Sequence, residues 1–441
     1  MAHLNVEQLQ VSKFVVGNGA LVSSALQGLK VSGPYSAGAC PQSPRVLFVF
    51  AEDFKDQANR LFLALKNGVG PFPGAERLFG FRLSTSGVLR LKGFNLPASS
   101  SHGQRAQAYV TAIENEVATL DPRPDIALVI HPKTDPFTED NPYLSAKFAL
   151  LRANIPTQNI TTDLLNNAPV LQWSAANIAL AMFAKMGGKP WAIDTGLSPD
   201  SLIVGINRAF VSSPLSTERN RVFGFATTFS HNGVYLETRL FPIAETWQEY
   251  LRTLRQSLQE LMTDWQAKSG AAVPLVFHVQ RELQKQEITI IEECLSAETN
   301  KAVKEYSVIR LSDADGMLIV DDSRPDSMIP RAGTLVYLSG HRVLLQVSGQ
   351  VPGGTVGKIV TSGPLQITNV KASPAAPKLS LLAQHAMALS QMNWRGFNSE
   401  TWPVSIEYPR LLAELLGRFS AAGMDVAQLR GVPAMSRPWF L

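Results

Sequence analysis

The chain has 441 residues, 45% of them apolar and 17% charged. That is too long for one ordinary core, suits two or three folded domains, and excludes an intrinsically disordered chain. Net charge is +4, from 40 Lys and Arg against 36 Asp and Glu, which permits a nucleic-acid partner without demanding one. No run of about eighteen apolar residues is present to span a membrane. The opening Met1-Ala2-His3-Leu4-Asn5-Val6-Glu7 lacks the basic-then-apolar order of a secretory signal. The two cysteines, Cys40 and Cys294, are too far apart for a disulfide framework or a zinc-ligand spacing. The expectation is a cytoplasmic protein with reduced thiols.

From Pro44 onward the pattern alternates. Residues 45–50 predict a buried strand, 53–66 a helix, 77–81 a second strand and 102–119 a helix. A third strand is predicted at 125–131, a helix at 141–153, a short strand at 155–160 and a helix at 170–186. Continuous apolar strands alternating with helices predict a parallel sheet covered on both faces, a Rossmann-like layout that binds ligands beyond the carboxyl ends of its strands. The rhythm then changes. A buried strand at 202–206 is followed by a hairpin over 221–241, turning at His231-Asn232-Gly233. A long amphipathic helix is predicted at 245–267, strands at 274–279 and 305–311, two more within 334–347, and closing helices at 377–393 and 405–421. Three antiparallel strands followed by alternating helices and strands predict an RNase H-like second half. The stretches 96–103 and 348–364 read as loops. There is no internal repeat, P-loop or dinucleotide fingerprint.

One dispersed polar set stands out. Tyr143 and Lys147, four apart, share one helix face. Gln158 opens the next strand, after Ile155-Pro156-Thr157. Lys185 lies on the following helix, before Gly187-Gly188-Lys189-Pro190-Trp191. Two ammonium groups, an amide and a phenol converging on one point suit a terminal phosphate with a base stacked beside it. A lone Tyr-x-x-x-Lys is an ordinary solvated helix face; the added Gln158 and Lys185 favour the pocket.

This set, together with Val15-Val16-Gly17-Asn18-Gly19, Gly33-Pro34-Tyr35, Asn177-Ile178-Ala179-Leu180-Ala181, Asn393-Trp394 and Pro403-Val404-Ser405-Ile406, resembles the Argonaute family. It resembles the short prokaryotic form, which has MID and PIWI domains alone. The resemblance implies an α/β protein: a leader at 1–43 packing on PIWI, a Rossmann-like MID domain at 44–187 and an RNase H-like PIWI domain at 188–441. It also implies that Tyr143 stacks on the first guide base while Lys147, Gln158 and Lys185 bind its 5′ phosphate. The carboxylate of Leu441, with Gln158, would help hold a Mg²⁺ between guide phosphates, where several negative charges would otherwise repel.

An active PIWI domain cuts through metal ions held by acidic side chains. Where the family has an acid after a Val-Gly-Ile strand, this chain reads Val204-Gly205-Ile206-Asn207. Where it has His-x-Asp-Gly, the run is His278-Val279-Gln280-Arg281, and before the closing Trp stands Asn393. Amides do not supply the negative charge that draws Mg²⁺ in. Glu282 and Glu287 are expected on a helix surface. The expectation is a non-enzyme that binds without slicing.

The implied function is guide-dependent recognition in prokaryotic immunity: a 5′-phosphorylated small RNA guide, a single-stranded DNA target, and an APAZ-containing effector partner bearing a TIR, sirtuin-like or nuclease domain. Arg208, Arg219, Arg221, Arg331, Arg342, Lys358 and Lys371 are candidate contacts to nucleic-acid phosphates. The rival readings are an active guided endonuclease with atypical metal ligands and a doubly wound nucleotide-binding enzyme.

Overall fold

The computed structural model describes residues 4–90, 93–96, 103–134, 141–212, 220–269, 272–296, 303–323, 328–349, 363–398 and 400–441. They group into two compact units. The first holds Phe14–Trp191, Trp394–Phe397 and Leu415–Leu441; the second holds Met1–Lys13, Ala192–Asn393 and Asn398–Glu414. The expected boundaries, at 43/44 and 187/188, differ from this division. The leader splits, because Val6–Gln8 pairs with Thr334–Ser339 as an edge strand of the second unit while residues from Phe14 onward belong to the first.

In the first unit a four-stranded parallel sheet runs in the order Val88–Arg90, Val46–Val49, Ile126–His131, Thr157–Thr161. The two central strands are buried at every position, which explains their unbroken apolar sequence. Helices Gln104–Val117 and Pro142–Arg152 cover one face, where Tyr109, Ile113, Ala146 and Leu150 pack on Leu47, Val49, Ala127 and Val129. The Tyr109 hydroxyl donates to the Ile130 carbonyl at 2.6 Å, so this large buried ring leaves no polar atom unpaired. Helix Pro142–Arg152 begins on Asn141, whose side chain accepts from the Tyr143 N–H at 2.9 Å, with Pro142 in the first turn. That cap sets the register of Tyr143 and Lys147.

One predicted strand is a helix. Residues 77–81 include the end of helix Ala75–Phe79, which stops at Gly80 in the left-handed region at φ 80°. Phe79, Phe81 and Phe183 stack there, with Phe79 and Phe183 centroids 5.2 Å apart. The sheet's edge position is taken instead by Val88–Arg90.

In the second unit nine strands form one mixed sheet. Leu202–Ser212, Asn220–Ser230 and Tyr235–Leu240 are antiparallel neighbours. Val273–Val279 then lies parallel to both Leu202–Ser212 and Val303–Asp313, the mixed order expected of the second half. Helices Trp247–Ser269 and Lys285–Leu295 pack over one face through Leu254, Leu258, Ile291 and Leu295. Helix Lys285–Leu295 carries Glu287, which was expected on a helix, while strand Leu365–Ala372 was not anticipated from sequence.

Gly205 has a specific cause. Helix Val404–Ala421 carries Pro409, which has no N–H to offer the carbonyl of Ser405 four residues back. That carbonyl instead packs onto Gly205, where a Cβ would lie 2.0 Å from the oxygen. Beside it His278 Nδ1 meets Ser405 Oγ at 2.5 Å, and burial pushes the His278 imidazole down to about 3. No helix among the described residues is long and apolar enough to cross a membrane.

Candidate nucleic-acid site

The first unit gathers the dispersed polar set. Lys185, at the end of helix Ala168–Lys185, donates from Nζ to the Thr157 carbonyl and to Gln158 Oε1, both at 2.7 Å. Lys147 Nζ lies 5.6 Å from the Tyr143 ring centroid and 5.9 Å from that of Trp439. The two lysines are only 2% and 1% exposed. Neither forms an ion pair with a carboxylate among the described residues.

Burial drives both ammonium groups toward neutrality. For Lys147 burial lowers the pKa, Tyr143 partly offsets it, and Arg395 lowers it further. Lys185 is held well below the usual lysine range by burial, then by the charges of Lys147 and Arg395. Buried charge without a counter-ion is costly, and proteins retain it where a ligand supplies the missing charge. Two nearby donors also lack partners: the buried indole N–H of Trp439 and the hydroxyl of Thr157.

Three contributors were missed in the sequence. Arg395 acts on both lysines, the Arg418 guanidinium lies 5.5 Å over the Tyr143 ring, and Trp439 walls Lys147. They come from parts of the chain 210 or more residues beyond Lys185, so no local pattern announces Arg395 or Arg418. The carboxyl-terminal tail does give a signal in its apolar Trp439-Phe440. Leu441 ends that tail, half-buried, with its N–H on the Pro438 carbonyl at 3.2 Å.

Gln158 Oε1 keeps a second lone pair beside its bond to Lys185, an oxygen donor of the hardness that Mg²⁺ takes, so an ion there would draw most of its coordination from phosphate and water.

The second unit brings together two of the three amide positions. Val279 pairs with Ile206 across parallel strands, so Gln280 and Asn207 follow side by side. Asn207 Oδ1 accepts from the Arg208 N–H at 2.8 Å. Asn393 is buried, after helix Leu379–Leu389.

Glu287 is not on a surface. Its side chain is fully buried, because Arg281 grips it through two hydrogen bonds, one at 2.9 Å from Nη1 to Oε2 and a shorter one from Nη2 to Oε1. The Tyr250 hydroxyl donates to it at 2.9 Å and the Gln284 N–H at 3.0 Å, with Arg208 Nη1 3.5 Å away. Burial pushes the Glu287 carboxyl up, but the Arg281 hydrogen bonds and charge outweigh it and hold it below the usual range. Glu282 is 87% exposed, but it precedes helix Lys285–Leu295 instead of lying on it. Among the described residues no three His, Cys, Asp or Glu side chains gather to hold a metal ion.

The candidate phosphate contacts divide. Arg208 is stacked 4.8 Å from the Trp247 ring and 5.5 Å from Tyr250, and is only 12% exposed, so it is committed to the core. Lys371 pairs with Glu292 at 2.7 Å. Arg331 and Arg342 are exposed. Arg219, Lys358 and the side chain of Arg221 lie outside the described residues.

The Piwi domain family matches residues 136–421. The protein argonaute of Cereibacter sphaeroides is 25% identical over 450 residues, which cover 95% of this chain and 56% of that protein. The Piwi protein of Archaeoglobus fulgidus is 22% identical, covering 97% of each. The structure of Clostridium butyricum Argonaute bound to a guide DNA and a 19-mer target DNA matches with a TM-score of 0.70 at 15% identity, over 94% of this chain and 53% of that one. The chain thus spans about half the length of the Cereibacter relative and of the Clostridium chain, and nearly all of the Archaeoglobus relative. With a family match over well more than half of its residues and a fold shared with solved Argonautes, the chain belongs to the Piwi-domain family and is an Argonaute-type protein.

Proposed function

We propose that this protein is a guide-dependent recognition subunit that anchors the 5′ phosphate of a small guide between Lys147 and Lys185. One observation carries the reading: two buried ammonium groups, with no carboxylate partner among the described residues, act on each other's charge, one beside a tyrosine ring and the other on an amide. A phosphate dianion supplies the charge the pocket lacks, and Tyr143 offers a face for the first base. Sequence choice falls to base pairing. Mg²⁺ bound with the Leu441 carboxylate and Gln158 would neutralise charge among the leading guide phosphates.

The proposal extends to binding without cutting. Asn207 and Gln280 stand side by side without charge, and the buried acid Glu287 is held by Arg281. The resemblance to short prokaryotic Argonautes further supports a small RNA guide, a single-stranded DNA target and a defence role exercised through an APAZ-containing effector. Pairing of guide and target would then bias a protein surface shared with that partner.

The test compares oligonucleotides of one sequence bearing a 5′ phosphate or a 5′ hydroxyl. The phosphorylated strand should bind at least about tenfold more tightly, since charge-assisted contacts are worth roughly 1.5–3 kcal/mol each. Guide-loaded protein given a matched target with Mg²⁺ or Mn²⁺ should leave it intact. Equal affinity for the two ends removes the pocket assignment, and guide-directed cleavage removes the non-slicing one.

A further inference from the structure

A cavity of about 220 Å³ lies in the first unit, between helix Lys55–Asn67 and the edge strand Val88–Arg90. Its lining is built rather than incidental. Lys55, Asn59 and Phe62 recur at helical spacing and present one face of the helix to it. Opposite, Phe48 and Arg90 pair in register on parallel strands, both near the carboxyl ends where such sheets bind ligands. The Phe48 and Phe62 rings meet edge to face at 6.3 Å and form an apolar wall.

The polar groups sit at the rim and are available. Lys55 and Asn59 make no hydrogen bond or ion pair among the described residues. The Arg90 guanidinium stacks 4.9 Å over the Phe50 ring, which orients it. Its partner Glu52 is 42% exposed and Arg90 itself 38%. An exposed pair of this kind contributes little and yields to a competing anion. Among the described residues no carboxylate lines the cavity itself, and Glu52 meets Arg90 at its rim.

Drug-sized ligands need about 300–1,000 Å³, so this space takes less, a single planar ring system. An aromatic wall, an amide for a base edge and two cations at the rim together fit a nucleobase inside and its phosphate outside. We propose that the cavity is a second nucleotide site, taking one base against Phe48 and Phe62 with its phosphate on Lys55 and Arg90. It is independent of the 5′-end pocket, since it uses neither Lys147 nor Lys185. The base arrives either on a free mononucleotide or as an unpaired residue of a bound strand.

The experiment uses the full chain and 8-azido-AMP as a photoreactive probe, with crosslinked peptides mapped by mass spectrometry. Crosslinks should fall within residues 48–62 or 85–90 and persist in a Lys147→Ala, Lys185→Ala double variant. Lys55→Gln with Arg90→Gln, both at solvent-accessible positions, should weaken them about tenfold or more, the value of a lost charge-assisted contact. Circular dichroism of each variant confirms that it folds. Competition by AMP but not by a 5′-hydroxyl oligonucleotide identifies the free nucleotide as the source, and competition by both admits a base from a strand. Failure of AMP to compete overturns the site. Crosslinks confined to the peptides around Lys147 and Lys185, or unchanged in Lys55→Gln, Arg90→Gln, overturn it and leave the 5′-end reading standing. Loss of 5′-phosphate discrimination with these crosslinks intact would reverse that outcome.

Discussion

Among the described residues, two of the clusters that bury positive charge do so in opposite ways. In the second unit Arg208 and Arg281 surround the carboxylate of Glu287, with Tyr250 and the Gln284 N–H completing its shell. In the first unit Lys147 and Lys185 have carbonyls, an amide and aromatic faces for company, but no carboxylate among the described residues. The difference separates a closed charge cluster from the one proposed to bind a ligand. A buried charge that arrives with its counter-ion is complete, whereas one without it depresses its own ionisation until a ligand brings the missing sign.

The largest effect that tests this contrast is on the complete cluster. Glu287→Gln removes the counter-ion and leaves two guanidinium groups buried against an amide. Breaking a buried pair in this way costs about 3–5 kcal/mol, which a urea titration will read as a lower midpoint at unchanged slope. The linkage has a definite sign. The folded-state pKa of Glu287 is depressed, so its contribution is fully present at neutral pH and fades as pH falls below the usual carboxylate range toward the depressed value. A cost under about 1 kcal/mol, the range of exposed pairs, would place this cluster among surface ion pairs and end the comparison.

The second effect falls on the incomplete cluster. Lys147→Ala with Lys185→Ala should abolish preference for a 5′ phosphate. It should also flatten the plot of log affinity against log salt by about 1.4, since each phosphate neutralisation on a single strand contributes roughly 0.7. An unchanged salt slope would show that these lysines do not meet phosphate.

How far the sequence showed the difference depends on what each cluster is made of. The grouping of Tyr143, Lys147, Gln158 and Lys185 was legible because two lie one turn apart on a helix, one opens the next strand and one ends the following helix. Arg395, Arg418 and Trp439 were not, since only tertiary folding brings them there. Glu287 was misread as a surface acid for the same reason: an acid on an amphipathic helix looks solvated until Arg281 and Arg208 are seen to surround it. At the level of elements, Val46–Val49 and Ile126–His131 were plain from their apolar runs. Residues 77–81 were not, because a five-residue stretch with apolar Leu78, Phe79 and Phe81 fits a strand or the last turn of a helix equally well. There the deciding residue was Gly80, read only as a member of the stretch.

The smallest effect is the most diagnostic, because it runs in two directions at once. In the free protein Lys185 is protonated less readily than in an unfolded chain, chiefly through burial and then through Lys147 and Arg395. Folding therefore sheds a proton or buries an uncompensated charge, and stability rises with pH between the depressed value and the ordinary lysine range. Lys185→Met removes that slope. It should raise stability by about 1 kcal/mol, or roughly 2–4 °C in Tm for a domain of this size, despite losing the bonds to Thr157 and Gln158. Guide affinity moves the other way. A bound phosphate favours the charged lysine, so binding takes up a proton and affinity in the wild type falls as pH rises from 7.5 to 9.5, by up to tenfold per unit for each proton taken up. That range lies above the second ionisation of a terminal phosphate near pH 6, so the guide's own charge stays constant. The Met variant should bind more weakly throughout and show a shallower fall. If it is less stable than the wild type, or if its affinity keeps the full pH dependence, Lys185 is a structural lysine and the incomplete cluster is complete after all.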